Sequence, residues 1–146
     1  MDRTSARQGL PRWAAISLGV LGAALLLALA WHAFTAWQVS LARDTGRPMD
    51  ARLSAAQTAR SLEPWNPATV ATYGYVVSQQ LFAAKRYREA VDVMAEAYRN
   101  AVGDAEMLAY FKRIQAAWAL DTNRKAHLQH GHEGPGGTLK PSDIER

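Results

Sequence analysis

The feature that most constrains this chain is a thirty-residue stretch, Trp13 to Ala42, that contains no Asp, Glu, Lys or Arg. Its centre reads AAISLGVLGAALLLALA, and a helix that crosses a bilayer needs about 20 consecutive apolar residues. A backbone surrounded by hydrocarbon must satisfy its own hydrogen bonds, which a helix does internally. The stretch therefore predicts one transmembrane helix, with Trp13 and Trp37 near the two membrane interfaces, where Trp is enriched.

A secretory signal peptide is the alternative interpretation of this stretch. Basic residues precede the apolar core, and Ala28-Leu29-Ala30 matches an A-x-A cleavage site. The apolar character nevertheless continues to Leu41, and residues 14–37 as a helix would be about 36 Å long, enough to cross a bilayer with some tilt. These two features favour a retained anchor.

The charges that flank the anchor leave both orientations open. Arg residues lie on both sides of it, so the positive-inside bias is nearly balanced. They are Arg3, Arg7 and Arg12 before the anchor and Arg43, Arg47 and Arg52 after it. Because a short basic leader usually stays in the cytoplasm, we expect a single-pass protein of the bacterial inner membrane whose C-terminal part is periplasmic.

Two features of the anchor suggest contacts of its own. Ala15, Gly19 and Ala23 form a small-residue face that lets another membrane helix approach closely, although an Ala-rich helix also carries such patterns by chance. His32 is the ionisable side chain of the stretch, and a neutral imidazole can ligate haem iron or the magnesium of a chlorophyll. The alternative for His32 is an interfacial side chain that meets only headgroups or a hydrogen-bond partner.

The segment Ala28-x3-His32, followed by Trp37, is similar to the pigment-binding helix of bacterial antenna polypeptides. In those helices a small residue one turn before the His makes room for the macrocycle. The similarity implies a pigment or haem ligand at His32.

Composition and motifs narrow the function classes. The formal net charge is +4, half of it in residues 1–12, and no run of like charges occurs, so we expect no nucleic-acid binding. The absence of cysteine excludes disulfides, thiol catalysis and Cys-based metal sites. The chain has no phosphate-binding loop, and His132-Glu133 is followed by Gly134-Pro135 instead of a zinc-protease pattern. We therefore expect no enzymatic activity.

Four helices are predicted after the anchor. Gly and Pro at residues 46–48, 64–67 and 103 separate segments whose apolar residues recur at helical spacing. The predicted helices cover residues 50–62, 67–84, 87–102 and 105–120, and Val70, Tyr73, Val77 and Leu81 form an apolar stripe on one face of the second. No segment alternates like a strand. Because the turns are short, neighbouring helices should be antiparallel, which predicts an all-α fold.

The helical part resembles the tetratricopeptide-repeat family. The segment Tyr87-Arg-Glu89-Ala90-x3-Met94-x2-Ala97 is similar to the second helix of that repeat, and Tyr73-Gly74 with Val70 and Val77 is similar to its first helix. The segment Leu62-Glu63-Pro64-Trp65-Asn66 resembles the junction between repeats. The resemblance covers residues 50–120 and implies a non-enzymatic module that binds a peptide or a protein. A generic four-helix bundle is the alternative.

Three aromatic residues are candidate protein-binding residues, because aromatic side chains dominate interface energies. They are Trp65, Tyr75 and Phe82, which we expect to be exposed, and their alternative role is packing beneath the loops. Since fewer than three repeats are rarely stable alone, the array should be supported by the membrane, a second copy or a partner.

The C-terminal segment, residues 122–146, has no helical period and is predicted to be extended. It contains His127, His130 and His132, followed by Gly134-Pro-Gly-Gly137. A His-rich tract can hold a transition metal, although the spacing here defines no geometry. An extended tail could instead lie along a partner.

The sequence thus predicts five parts. They are a basic leader (1–12), a transmembrane helix (13–42), a linker (43–49), a tetratricopeptide-like helical domain (50–121) and an extended tail (122–146). We expect a membrane-anchored accessory subunit that contacts membrane lipid and the integral and extrinsic subunits of a respiratory or photosynthetic complex. An assembly factor for cytochrome maturation or the envelope is the alternative, and a pigment, haem or metal carrier is a third possibility.

Overall fold

The structure, a computed structural model, describes residues 11–130 and consists there of five α-helices without a strand. The helices are α1 (Arg12–Arg43), α2 (Met49–Leu62), α3 (Pro67–Ala83), α4 (Tyr87–Arg99) and α5 (Ala105–His130). The predicted all-α fold with a long apolar N-terminal helix is confirmed. Apart from the C-terminal end of α5, each helix begins and ends within a few residues of its predicted bounds.

Helix α1 has two parts that differ in exposure. Within residues 11–130 it is the one helix long and apolar enough to cross a membrane. From Trp13 to Phe34 its side chains are exposed, apart from the half-buried Ala14, and Thr35 is the first buried residue. The uncovered 22 residues correspond to about 33 Å of helix.

The last turns of α1 belong to the core of the helical domain. Ala42 is fully buried in a cluster with Ala55 and Ala56 of α2 and Val76 of α3. The predicted division, which ended the anchor at residue 42 and began the domain at residue 50, therefore differs from the observed one. Helix α1 runs without a break into the domain, and only Asp44–Pro48 separates it from α2.

Helix α3 lies at the centre of the domain, since it packs against α2 and α1 on one side and α4 on the other. Its most buried residues are therefore not the predicted stripe, whose members are only half-buried, but the positions between the two contact faces. The buried residues are Thr69, Ala71, Thr72, Gly74, Tyr75, Val76 and Ser78. Two of the hydroxyl residues satisfy their own polar groups locally: Thr69 Oγ1 donates to the Asn66 carbonyl at 2.8 Å, and Ser78 Oγ donates to the Tyr75 carbonyl at 2.7 Å.

The α3–α4 hairpin is closely packed and tightly turned. A Cβ atom on Gly74 would lie 2.8 Å from the Cβ of Ala97, so the two helices approach closely because both residues are small. At the turn, Lys85 has a left-handed φ of 60°. The Arg86 N–H donates to the Leu81 carbonyl at 2.9 Å and the Lys85 N–H to that of Phe82 at 3.0 Å, which is a Schellman motif.

Helix α5 is longer than predicted. It begins after Gly103, whose φ is 98°, and Asp104 caps it by accepting from the Met107 N–H at 3.1 Å. It continues to His130, so the prediction of extended chain is wrong for residues 122–130. An ion pair between Asp121 and Lys125 at 2.7 Å supports these polar turns. Residues 131–146 of the predicted tail lie outside the described part of the chain.

Candidate functional site

Three groups of polar contacts fix the domain to α1, and we refer to the region they occupy, residues 32–43 of α1 with their partners, as the junction. The first is formed by His32, whose Nδ1 lies 2.6 Å from Oε1 of Glu63. The His32 side chain is 68% exposed and that of Glu63 only 2%. Glu63 Oε1 accepts no hydrogen bond of acceptable angle. The contact with His32 is therefore a close polar contact rather than an aligned hydrogen bond.

Glu63 occupies its buried position because the loop after α2 is held by hydrogen bonds on several sides. The Glu63 N–H donates to the Ala59 carbonyl at 3.1 Å, and its own carbonyl accepts from Thr69 Oγ1 at 2.6 Å. Asn66 Nδ2 donates to Glu63 Oε2 at 2.6 Å, while Asn66 Oδ1 accepts from the Ala68 N–H and caps α3. These hydrogen bonds hold the loop against the end of α2 and the start of α3.

The hydrogen bond from Asn66 is the main reason why the pKa of Glu63 is lowered. Burial opposes this change, and the contact with His32 adds to it. The carboxylate is thus ionised at neutral pH although it is almost completely buried.

The second group of contacts lies at the other end of the junction. Arg43, the last residue of α1, places Nη2 2.7 Å from Asp104 Oδ2 and donates from Nε to Thr72 Oγ1 at 3.4 Å. Asp104 also caps α5 through the Met107 N–H, and this hydrogen bond is the first cause of its lowered pKa, with Arg43 as a further one. A single side chain of α1 thereby joins α3 and the start of α5.

Arg52 provides the third contact. It is 5% exposed on α2, and its Nε donates to the Ala42 carbonyl at 2.9 Å, which satisfies one of the free carbonyls at the C-terminal end of α1. Its Nη2 has no partner. Together, the three contacts are spread along about 17 Å of α1, so a change in the orientation of the domain on this helix would break all three.

The predicted protein-binding residues have different surroundings. Trp65 is 77% exposed in the loop that follows Glu63. The expectation that Tyr75 is exposed is wrong, because it is 3% exposed and donates from its hydroxyl to Glu106 Oε1 at 2.9 Å. Burial, with this hydrogen bond as a second cause, raises the pKa of Tyr75 to about 12. Phe82 is half-buried and packs edge-on against Tyr87 with a centroid distance of 5.4 Å.

A cleft of about 170 Å³ lies between α2, α3 and α4. Its walls include Val70, Tyr73 and Val77, three of the four residues of the predicted apolar stripe of α3. Arg60 lies over the Tyr73 ring at 4.6 Å from its centroid, and Glu96 is at the other side. The cleft has an apolar floor with charges of both signs at its edge.

The remaining predicted residues are placed apart from the junction. Ala15, Gly19 and Ala23 are exposed on α1, and a Cβ on Gly19 would meet nothing within 4 Å. His127 is exposed on α5, His130 is the last residue of that helix, and His132 is outside the described residues. Between residues 11 and 130, no group of three His, Asp or Glu side chains could hold a metal ion.

His32 also lines a second open cleft, of about 310 Å³, together with Thr35, Val39, Glu63 and Thr69. Since Nδ1 faces Glu63, only Nε2 remains for a ligand.

Comparison with known proteins identifies no family. No family model matches the chain, and neither the curated proteins nor the solved structures give a significant match.

Proposed function

We propose that this protein is a non-enzymatic, membrane-anchored scaffold: an accessory subunit of a larger membrane complex, respiratory or photosynthetic in type, whose small tetratricopeptide-like array binds protein partners. The observation that carries the proposal is the junction. A helix of membrane-spanning length continues into the domain and is fixed there by His32, Arg43 and Arg52. A receptor that searches for partners benefits from a flexible tether, whereas a subunit with one place in a complex benefits from a fixed orientation.

Two surfaces are available to partners. The small-residue face of α1 at Ala15, Gly19 and Ala23 is uncovered and suits a second membrane helix. The cleft around Tyr73 suits a peptide, and the close approach of Gly74 to Ala97 agrees with a tetratricopeptide-like hairpin. We place the N-terminus in the cytoplasm and the domain on the periplasmic side of a bacterial inner membrane.

Copurification from native membranes tests the proposal. The full chain, tagged at its C-terminus, is extracted in mild detergent, separated on a density gradient and quantified against its partners by mass spectrometry. An accessory subunit remains at a fixed ratio to one set of membrane proteins throughout the gradient. An assembly factor, the alternative, is substoichiometric and separates from the mature complex, and a chain that migrates alone contradicts both.

Variants in the two surfaces sharpen this experiment. Gly19→Leu fills the small-residue face and should lower the yield of integral partners, whereas Ala24→Leu, on the far side of α1, should leave it unchanged. Tyr73→Ala removes an aromatic wall of the cleft and should lower the yield of extrinsic partners. If all three variants give the same yields of partners as the wild type, these surfaces are excluded as the binding sites.

A second candidate function rests on the arrangement of His32. Its Nδ1 contact with Glu63 and its exposed ring suit a ligand to haem iron or chlorophyll magnesium through Nε2. Absorbance of the full chain purified from native membranes tests this function. A chromophore that is lost in His32→Ala supports it, and a colourless wild-type protein contradicts it.

A further inference from the structure

The loop that joins α2 to α3 carries an exposed aromatic side chain, and it touches α1 near the end of the apolar part of that helix. Glu63 lies against His32, and Trp65 follows two residues later. Trp65 is 77% exposed, and among the described residues it contributes nothing to either core cluster. The residues from Pro64 to Ala68 carry no charge, and the one acidic group of the loop, Glu63, is buried.

The length of uncovered α1 sets the height of this loop above a membrane. Residues 13–34 are not covered by the domain and extend for about 33 Å, whereas the hydrocarbon core of a bilayer is about 30 Å thick. No spare turn of helix remains between the bilayer and the domain. His32 is therefore at the hydrocarbon boundary, and the loop held by Glu63 is at the same level.

The residues near His32 on α1, and those that precede the loop on α2, are of the kinds found at a membrane interface. Trp31, Phe34 and Trp37 are exposed on α1 at 49%, 44% and 54%, and Phe34 and Trp37 pack together with their centroids 5.7 Å apart. Trp and Tyr are enriched where hydrocarbon meets headgroups. Arg60, exposed on α2 one turn before the loop, adds a positive charge of the kind that anionic lipid headgroups attract.

We propose that the α2–α3 loop is a second membrane contact, in which Trp65 inserts into the lipid headgroup region beside the aromatic residues of α1. This inference rests on the membrane-spanning role proposed for α1. The domain then meets the bilayer at two points, α1 and the α2–α3 loop. Because these two points are separate, they fix the tilt of the domain on the bilayer. The exposed side chain of Trp65 is thus in contact with lipid.

The cysteine-free chain allows a direct measurement of depth. Three single-cysteine variants of the full chain, Leu25→Cys, Trp65→Cys and Val102→Cys, are spin-labelled and placed, one chain per disc, in lipid nanodiscs of phosphatidylcholine with phosphatidylglycerol. Val102 is the matched control, since it is an apolar loop residue that is 79% exposed and lies near Asp104, at the Arg43 end of the junction. For each label, accessibility to oxygen, which concentrates in lipid, is compared with accessibility to a water-soluble nickel chelate.

We expect the ratio of oxygen accessibility to nickel-chelate accessibility to be highest at position 25, several-fold lower at position 65, and several-fold lower again at position 102. A ratio at 65 equal to that at 102, with position 25 deep in lipid, overturns the loop contact and leaves the anchor intact. Protection of position 65 from both reagents indicates a protein cover and also overturns it. Exposure of position 25 to nickel overturns the membrane-spanning role itself.

Discussion

Arg43 Nη2 lies 2.7 Å from Asp104 Oδ2, although the two residues are 61 positions apart in the chain. The contact joins the last residue of the apolar helix to the residue that caps the last helix of the domain. It closes the array on α1, so that α1 and α5, the first and last helices of the described chain, are coupled. Its removal should therefore affect the whole domain.

Substitution Arg43→Met should destabilise the domain by about 1–2 kcal/mol, because it leaves Asp104 partly buried without its charged partner. Thermal unfolding of the full chain in detergent, followed by circular dichroism, measures the loss. Asp104→Asn is the companion variant, which keeps a capping oxygen but removes the charge. An unfolding midpoint of Arg43→Met equal to that of the wild type would show that this contact contributes no stability.

Substitution Gly74→Ala should destabilise the α3–α4 hairpin by about 1–3 kcal/mol, since the new Cβ would lie 2.8 Å from the Cβ of Ala97. Gly19→Ala is the matched control, because the same change there meets nothing within 4 Å. The double variant Gly74→Ala with Ala97→Gly should recover part of the loss. If Gly74→Ala is as stable as Gly19→Ala, the close approach of the two helices is not a property of the protein.

Substitution Lys85→Gly should stabilise the protein by about 0.5–1 kcal/mol, because Lys85 has a left-handed φ of 60° that costs a side chain energy and a glycine none. Lys85→Ala also removes the charge but keeps the Cβ, and it should bring no gain. Denaturant unfolding of the three proteins compares them. A gain in the alanine variant equal to that in the glycine variant would point to the charge instead of the backbone.

The stability of the domain should fall in acid. The pKa of Glu63 is held below its ordinary value of 4.5 and that of Asp104 below 3.8, so the folded protein favours both ionised forms. Their contribution is complete at pH values above these ordinary values and is lost as the pH falls through the lowered pKa values. Unfolding measured across the acid range should be steeper for the wild type than for Glu63→Gln with Asp104→Asn. Identical slopes would refute the account of these two carboxylates.

The helix boundaries were predictable because their signals are local. Pro67 begins α3, Gly103 precedes α5, and the spacing of Ala90, Met94 and Ala97 marks the buried face of α4. The last turns of α5 were missed because they lack an apolar period and are supported by polar contacts such as Asp121 with Lys125.

The junction could not be predicted in the same way, because its partners are far apart in sequence. Glu63 was recognised only as part of a helix-ending segment, and nothing near it in the sequence indicates that its carboxylate meets His32. Tyr75 was expected to be exposed because only the arrangement of the neighbouring helices shows that α3 is covered on two sides. The loop position of Trp65 was predictable, since a residue between Pro64 and Pro67 cannot continue either α2 or α3.

The most direct test of the fixed junction is a distance between two spin labels in the full chain, one on α1 at Gly22→Cys and one on α5 at Lys112→Cys, measured by pulsed electron paramagnetic resonance. We predict one narrow distance distribution, the same in detergent and in lipid, that broadens when Arg43→Met and Glu63→Gln are added. A broad distribution in the otherwise unchanged protein, unaffected by these two substitutions, would contradict a domain that is held rigidly on its membrane helix.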